Sequence, residues 1–166
     1  MKTKYLTLIL LLVYLNIHGA TQTKLVILHT NDTHSQIDPV EGKELGGYAR
    51  RLGVINKIRS EENNTLLLDA GDYFQGTPYY NFYGGRAEIN GMNMMGYDAV
   101  TIGNHEFDNG IDSLANVLRL ANFPIVNSNY SVSNTALNPL VKPYIIVYKN
   151  GLKIGILGLG VQPKGL

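Results

Sequence analysis

The chain has 166 residues, 14 Lys and Arg against 13 Asp and Glu, and a formal net charge of +1. That length suits one modest domain, and the balanced charge, without Lys/Arg runs, argues against a binder of nucleic-acid polymers, whose phosphates demand clustered cations. There is no cysteine, which excludes disulfides and a lipid-modified cysteine.

Residues 1–20 read as a secretory signal. Lys2 and Lys4 form a basic start, residues 6–15 an apolar stretch too short to span a bilayer, and Gly19-Ala20 a small-residue end before polar Thr21-Gln22-Thr23. His18 stands where a small residue is preferred, so an uncleaved anchor is the alternative. The expected product is exported, periplasmic or secreted, with no stable membrane span once the signal is removed.

From residue 24 onward, strand and helix signals alternate. Residues 24–29 are an apolar, β-branched run; Leu45, Tyr48, Ala49, Leu52 and Ile55 recur at helical spacing. Residues 66–68 form a short buried strand. Ile89, Met92 and Met95 make a second helical stripe ended by Gly96, and residues 99–102 a third strand. Ile111, Leu114, Ala115 and Leu118 give a third helix, and Ile125-Val126 a short strand. Residues 127–143 are a polar connection without periodicity. Residues 144–148 and 152–157 flank Lys149-Asn150-Gly151, a hairpin turn. This order predicts an α/β domain with a largely parallel sheet, whose ligands gather at the carboxyl ends of the strands.

Three motifs fall at such strand ends. Asp32 and His34, two apart in an extended loop, can point the same way and reach one metal ion; carboxylate oxygen and imidazole nitrogen suit Zn, Mn or Fe(II). Asp72 follows Gly71, whose tight turn leaves the carboxylate free to bridge two ions. Asn104 offers an amide oxygen as a neutral ligand. His105 has Asp108 three residues on, and an Asp accepting from one ring nitrogen fixes the tautomer of the other. Such an imidazolium protonates a leaving oxygen or stabilises phosphoryl charge.

Blander readings exist for single residues. Asp32 and Asp72 can cap helices, and His34 can be a surface residue. His29 is expected in the core, Glu106 as a helix N-terminal charge rather than a ligand, the Met92, Met94, Met95 group as core filling, and Tyr79, Tyr80 and Tyr83 as loop packing rather than a base-stacking surface. An Asp-x-His, a Gly-Asp and an Asn-His in this order favour metal chemistry over independent caps.

The motifs also carry a resemblance. Residues 25–37, with His29-Thr30-Asn31-Asp32-Thr33-His34, and residues 97–108, with Gly103-Asn104-His105-Glu106-Phe107-Asp108, resemble the two signatures of the 5′-nucleotidase family of calcineurin-like metallophosphoesterases, and residues 67–77 its intervening Gly-Asp segment. The resemblance implies part of a four-layer α-β-β-α sandwich, mostly its first parallel sheet with helices and a C-terminal hairpin. It implies hydrolysis of a phosphate ester, a nucleotide or a similar small molecule, with divalent ions paired in the complete family site. Asp32 and His34 would bind the first ion, Asp72 would bridge, Asn104 would bind the second, and His105 with Asp108 would form the catalytic pair.

One departure stands beside it. The family uses further histidines downstream, in Gly-His and Gly-His-x-His motifs, whereas the histidines here are His18, His29, His34 and His105. The expectation is that residues 21–166 are the N-terminal portion of a metallophosphoesterase domain, incomplete at the C-terminus and inactive alone. Such a chain is either a degenerate exported module or a half-domain needing a separate C-terminal piece.

Overall fold

The computed structural model describes residues 22–161. The expected signal over residues 1–20 and the last five residues lie outside that range. Five strands form one parallel sheet in sequential order: β1 (Val26–Thr30), β2 (Thr65–Asp69), β3 (Ala99–Val100), β4 (Ile125–Val126) and β5 (Val141–Lys142). Between them run α1 (Tyr48–Glu61), α2 (Pro78–Tyr83), α3 (Arg86–Met95), a 3-10 turn (His105–Phe107) and α4 (Ile111–Leu118). The antiparallel hairpin β6 (Tyr144–Lys149) and β7 (Leu152–Leu157) follows. The expected α/β fold with a parallel sheet is therefore what the chain forms. No helix among the described residues is long and apolar enough to cross a membrane.

Sequential order with right-handed crossovers puts the helices on one sheet face. Side-chain alternation shows it. Leu67 of β2, Val100 and Ile125 pack with Ile55 of α1, Ile89, Met92 and Met95 of α3, and Leu114 and Leu118 of α4. Leu66, one residue away and so on the opposite face, packs with Ala99, Val126 and Ile156, joined by Ile145, Val147 and Ile154 of the hairpin. Strands covered on both faces explain the unbroken apolar run Leu66-Leu67-Leu68.

The structure departs from the sequence reading in several places. His29 is exposed, not in the core: it pairs with Leu68 in register and shares with Ile27 the hairpin-side face of β1, which the hairpin leaves largely uncovered. Met92 and Met95 fill the core, but Met94 points outward and is 74% exposed. Pro78–Tyr83 is a helix, not a loop, started by Pro at its first turn, where the missing N–H costs nothing. Residues 127–143 contain β5, two residues too short to show a period. Leu45 lies before α1 and is exposed. β3 ends at Val100, because the chain turns at once toward Gly103 and Asn104.

Candidate metal centre

The loops leaving β1, β2 and β3 are bound to one another. Asp32 N–H donates to the Gly71 carbonyl (3.0 Å), His34 N–H to that of Asp72 (3.0 Å) and Ser35 N–H to that of Tyr73 (3.0 Å). These contacts hold a cluster of non-glycine residues in the left-handed region: Asp32 (φ 50°), His34 (42°), Ser35 (56°), Asp72 (55°) and Gln75 (62°). Each such conformation costs on the order of 1–3 kcal/mol and persists only where the surroundings impose it. Ser35 is fully buried; its hydroxyl donates to Glu88 on α3 and lies 2.8 Å from that of Thr77.

Between the β2 and β3 loops the backbones touch. A Cβ on Gly71 (φ 98°) would lie 2.5 Å from the Gly103 nitrogen, and one on Gly103 would lie 2.3 Å from Asp72 Oδ1. His105 N–H donates to that same Oδ1 (2.9 Å). Glu106, 1% exposed, accepts from Asp72 N–H (2.9 Å) and Gly103 N–H (2.6 Å) at Oε2 and from Phe74 N–H (3.0 Å) at Oε1. Burial pushes its carboxyl up to about 7, against the pull of those three donors.

Donor atoms of Asp32, His34 and Asp72 all lie within 4.8 Å of one another. Two metal–ligand bonds of ~2.1 Å span at most ~4.2 Å, so small rotations of the partly exposed side chains suffice to close on an ion. Two oxygens and one imidazole nitrogen fit a divalent ion of the Zn, Mn or Fe type. Neither aspartate is the N-cap of a helix, positions held by Gly47, Thr77, Gly85 and Gly110. Asn104, half-buried, precedes the 3-10 turn between Gly103 and His105, both of which meet Asp72.

His105 Nδ1 lies 2.9 Å from Asp108 Oδ2, and its ring stands 5.2 Å from that of His34. The hydrogen bond to Asp108 is the largest influence raising its pKa, reinforced by the charges of Asp108, Asp72 and Glu106. One patch thus gathers Asp32, His34, Asp72, Asn104, His105 and Asp108. Of the tyrosines, Tyr80 is buried against Phe74, while Tyr79 and Tyr83 stack at 6.3 Å and line a groove with Gln36, Asp38 and Thr77.

Two carboxylates are placed as the sequence does not foretell: Glu88 carries no motif, and Glu106, expected as a helix N-terminal charge, stands in the first turn of the 3-10 helix but is buried. Glu88 sits on the buried Ile89 face of α3, and Glu106 turns inward from the 3-10 turn. An acidic residue inside an apolar helical stripe was the available signal for Glu88; for Glu106 the partners are more than thirty residues away, save Gly103, and leave no local pattern.

The family pattern described as Calcineurin-like phosphoesterase matches residues 25–162. The chain is 40% identical over 152 residues to the snake venom 5′-nucleotidase of Gloydius brevicauda, covering 84% of this chain and 26% of that protein. The structure of a 5′-nucleotidase precursor from Thermus thermophilus superimposes with a TM-score of 0.77 at 42% identity, covering 82% of this chain and 28% of that one. For the NAD nucleotidase of Haemophilus influenzae the TM-score is 0.76 at 35% identity, covering 82% and 26%. The chain therefore spans about a quarter of the length of each of these three relatives. By the match over most of its length, the chain belongs to the calcineurin-like phosphoesterase family.

Proposed function

We propose that this site belongs to a metal-dependent phosphoester hydrolase of the 5′-nucleotidase type, acting on nucleotides or similar phosphate esters in an exported protein. The observation that carries the reading is the convergence of Asp32, His34 and Asp72 within 4.8 Å, beside a hydrogen-bonded His105–Asp108 pair.

In this reading Asp32 and His34 hold one divalent ion, Asp72 bridges toward a second, and Asn104 serves the second. Bound divalent ions supply electrostatic stabilisation of phosphate oxygens and an acidified water. The chain's own residues do the rest. Asp72 keeps Oδ1 on His105 N–H, and its Oδ2 accepts no bond among the described residues. Asp108 holds His105 with Nδ1 engaged, so that Nε2 is the nitrogen available to a phosphate oxygen or a departing alkoxide. Its raised pKa keeps the ring protonated further toward neutral pH, the form that donates.

Among the described residues the donors for the second position are Asp72 and Asn104, which favours a second reading: a metal- and phosphate-binding module with little or no turnover of its own. Phosphorus-31 NMR separates the possibilities. With Mn(II) and protein present, the adenosine monophosphate signal should broaden beyond the effect of free Mn(II), and Asp72→Ala should abolish the excess. Broadening with phosphate release supports the hydrolase; broadening alone supports the binding module. No excess broadening in the intact chain contradicts both.

A further inference from the structure

We infer that Glu106 is a positioning residue that sets the spacing of the metal donors by tying the β2 and β3 loops to one buried point. The inference rests on the metal-centre reading above. Glu106 is buried, and among the described residues no cation pairs with it. A lone buried carboxylate is costly, and burying an apolar side chain in its place would cost less. What it has instead is three main-chain N–H donors drawn from two loops: Asp72 and Phe74 from one, Gly103 from the other.

Those three points bracket the donors. Asp72 is itself a donor, held at φ 55°. Gly103 is the residue before Asn104. Oε2 receives both Asp72 and Gly103, so one oxygen fixes how far apart the two loops stand. Glycine at 71 and 103 permits that distance, since a Cβ at either position would strike the other loop. Residues that orient a metal's ligands without touching the metal commonly carry a large share of its affinity.

The geometry also dictates the variant. An amide at position 106 offers one accepting oxygen. Placed at the Oε2 position it keeps Asp72 and Gly103, but its NH2 then faces Phe74 N–H, donor against donor. The full chain, wild type and Glu106→Gln, should be titrated with Co(II) while the visible absorption is recorded, with exposed Glu61→Gln as control. Glu106→Gln should weaken binding by roughly 10–100-fold and alter the Co(II) band, with far-UV circular dichroism unchanged; Glu61→Gln should do neither. Equal affinity and an identical band in wild type and Glu106→Gln would overturn the inference and leave the metal centre standing. A wild-type chain that takes up no Co(II) would overturn the metal centre, and the inference with it. If Glu106→Gln does not fold, Glu106→Asp takes its place, with both oxygens on a stem one carbon shorter; a folded Glu106→Asp with wild-type affinity would overturn the positioning role.

Discussion

The two ends of one strand, β1, show how differently this molecule treats its surfaces. Beyond Thr30 the chain enters a crowd: left-handed Asp32, His34 and Ser35, backbones in contact, and buried carboxylates tying loop to loop. Along the strand itself, the hairpin-side face is bare, with Ile27 56% exposed beside Leu66 at 1%. The hairpin covers β2 to β4 there but not β1, the edge strand, and its own Leu157 is 62% exposed. Conformational strain is concentrated where donor atoms must be fixed, and apolar exposure is left where no donor lies. The first region fixes polar groups in place; the second leaves apolar surface open.

Four predictions, drawing on six substitutions, probe that contrast. In the hydrolase reading, the largest effect should come from His105→Ala, lowering metal-dependent turnover by about 10²-fold or more with bound Mn(II) unchanged; Asp108→Asn should act the same way, more weakly, through the ring's orientation. Loss of the ion in His105→Ala, with turnover restored by excess metal, would place His105 among the ligands instead.

Next comes crowding against open space. Gly103→Ala puts a Cβ 2.3 Å from Asp72 Oδ1 and should cost about 1–3 kcal/mol in urea melts. Gly53→Ala, in α1 with nothing within 4 Å, should instead stabilise by roughly 0.5–1 kcal/mol. Equal effects at the two positions would erase the distinction.

The third is a pH effect at the base of the crowded region. Asp69, 4% exposed, accepts from Thr30 Oγ1 (2.5 Å) and Gly71 N–H (2.8 Å), yet burial pushes its carboxyl up to about 6 from 3.8. The folded state therefore holds the proton more tightly than the unfolded state. The stability Asp69 contributes is full below about pH 4 and is lost as pH rises through about 6. Wild type minus Asp69→Asn should fall by on the order of 3 kcal/mol across that window; a flat or rising difference would show that Asp69 is ionised and satisfied in the fold.

The smallest effect belongs to the open face. Ile27→Lys places a charge on an exposed edge strand and should raise the monomeric fraction in sedimentation at high concentration, with the melting midpoint nearly unchanged. A lowered midpoint without a change in association would mean that Ile27 is packed.

Much of the fold was legible because its signals are periodic or local. Ile89, Met92 and Met95 repeat along one helix face, and Asn150 and Gly151 both take positive φ in the hairpin turn. The positions of Asp32, His34, Asp72, Asn104, His105 and Asp108 were legible because each follows a strand. α2 and β5 were not, being six and two residues long. His29 looked like a core residue because its neighbours are apolar, but sequence does not tell which sheet face stays uncovered. Glu88 and the inward turn of Glu106 were missed for a different reason: their burial is decided by hydroxyl and main-chain donors from distant segments.

Everything proposed for this site requires Asp32, His34 and Asp72 to bind a divalent ion. Calorimetric titration of the chain with Mn(II) tests it most directly. One site of modest affinity is expected, lost in both His34→Ala and Asp72→Ala and kept in Glu61→Gln. No heat of binding, two tight equivalent sites, or a site that survives both substitutions would contradict it.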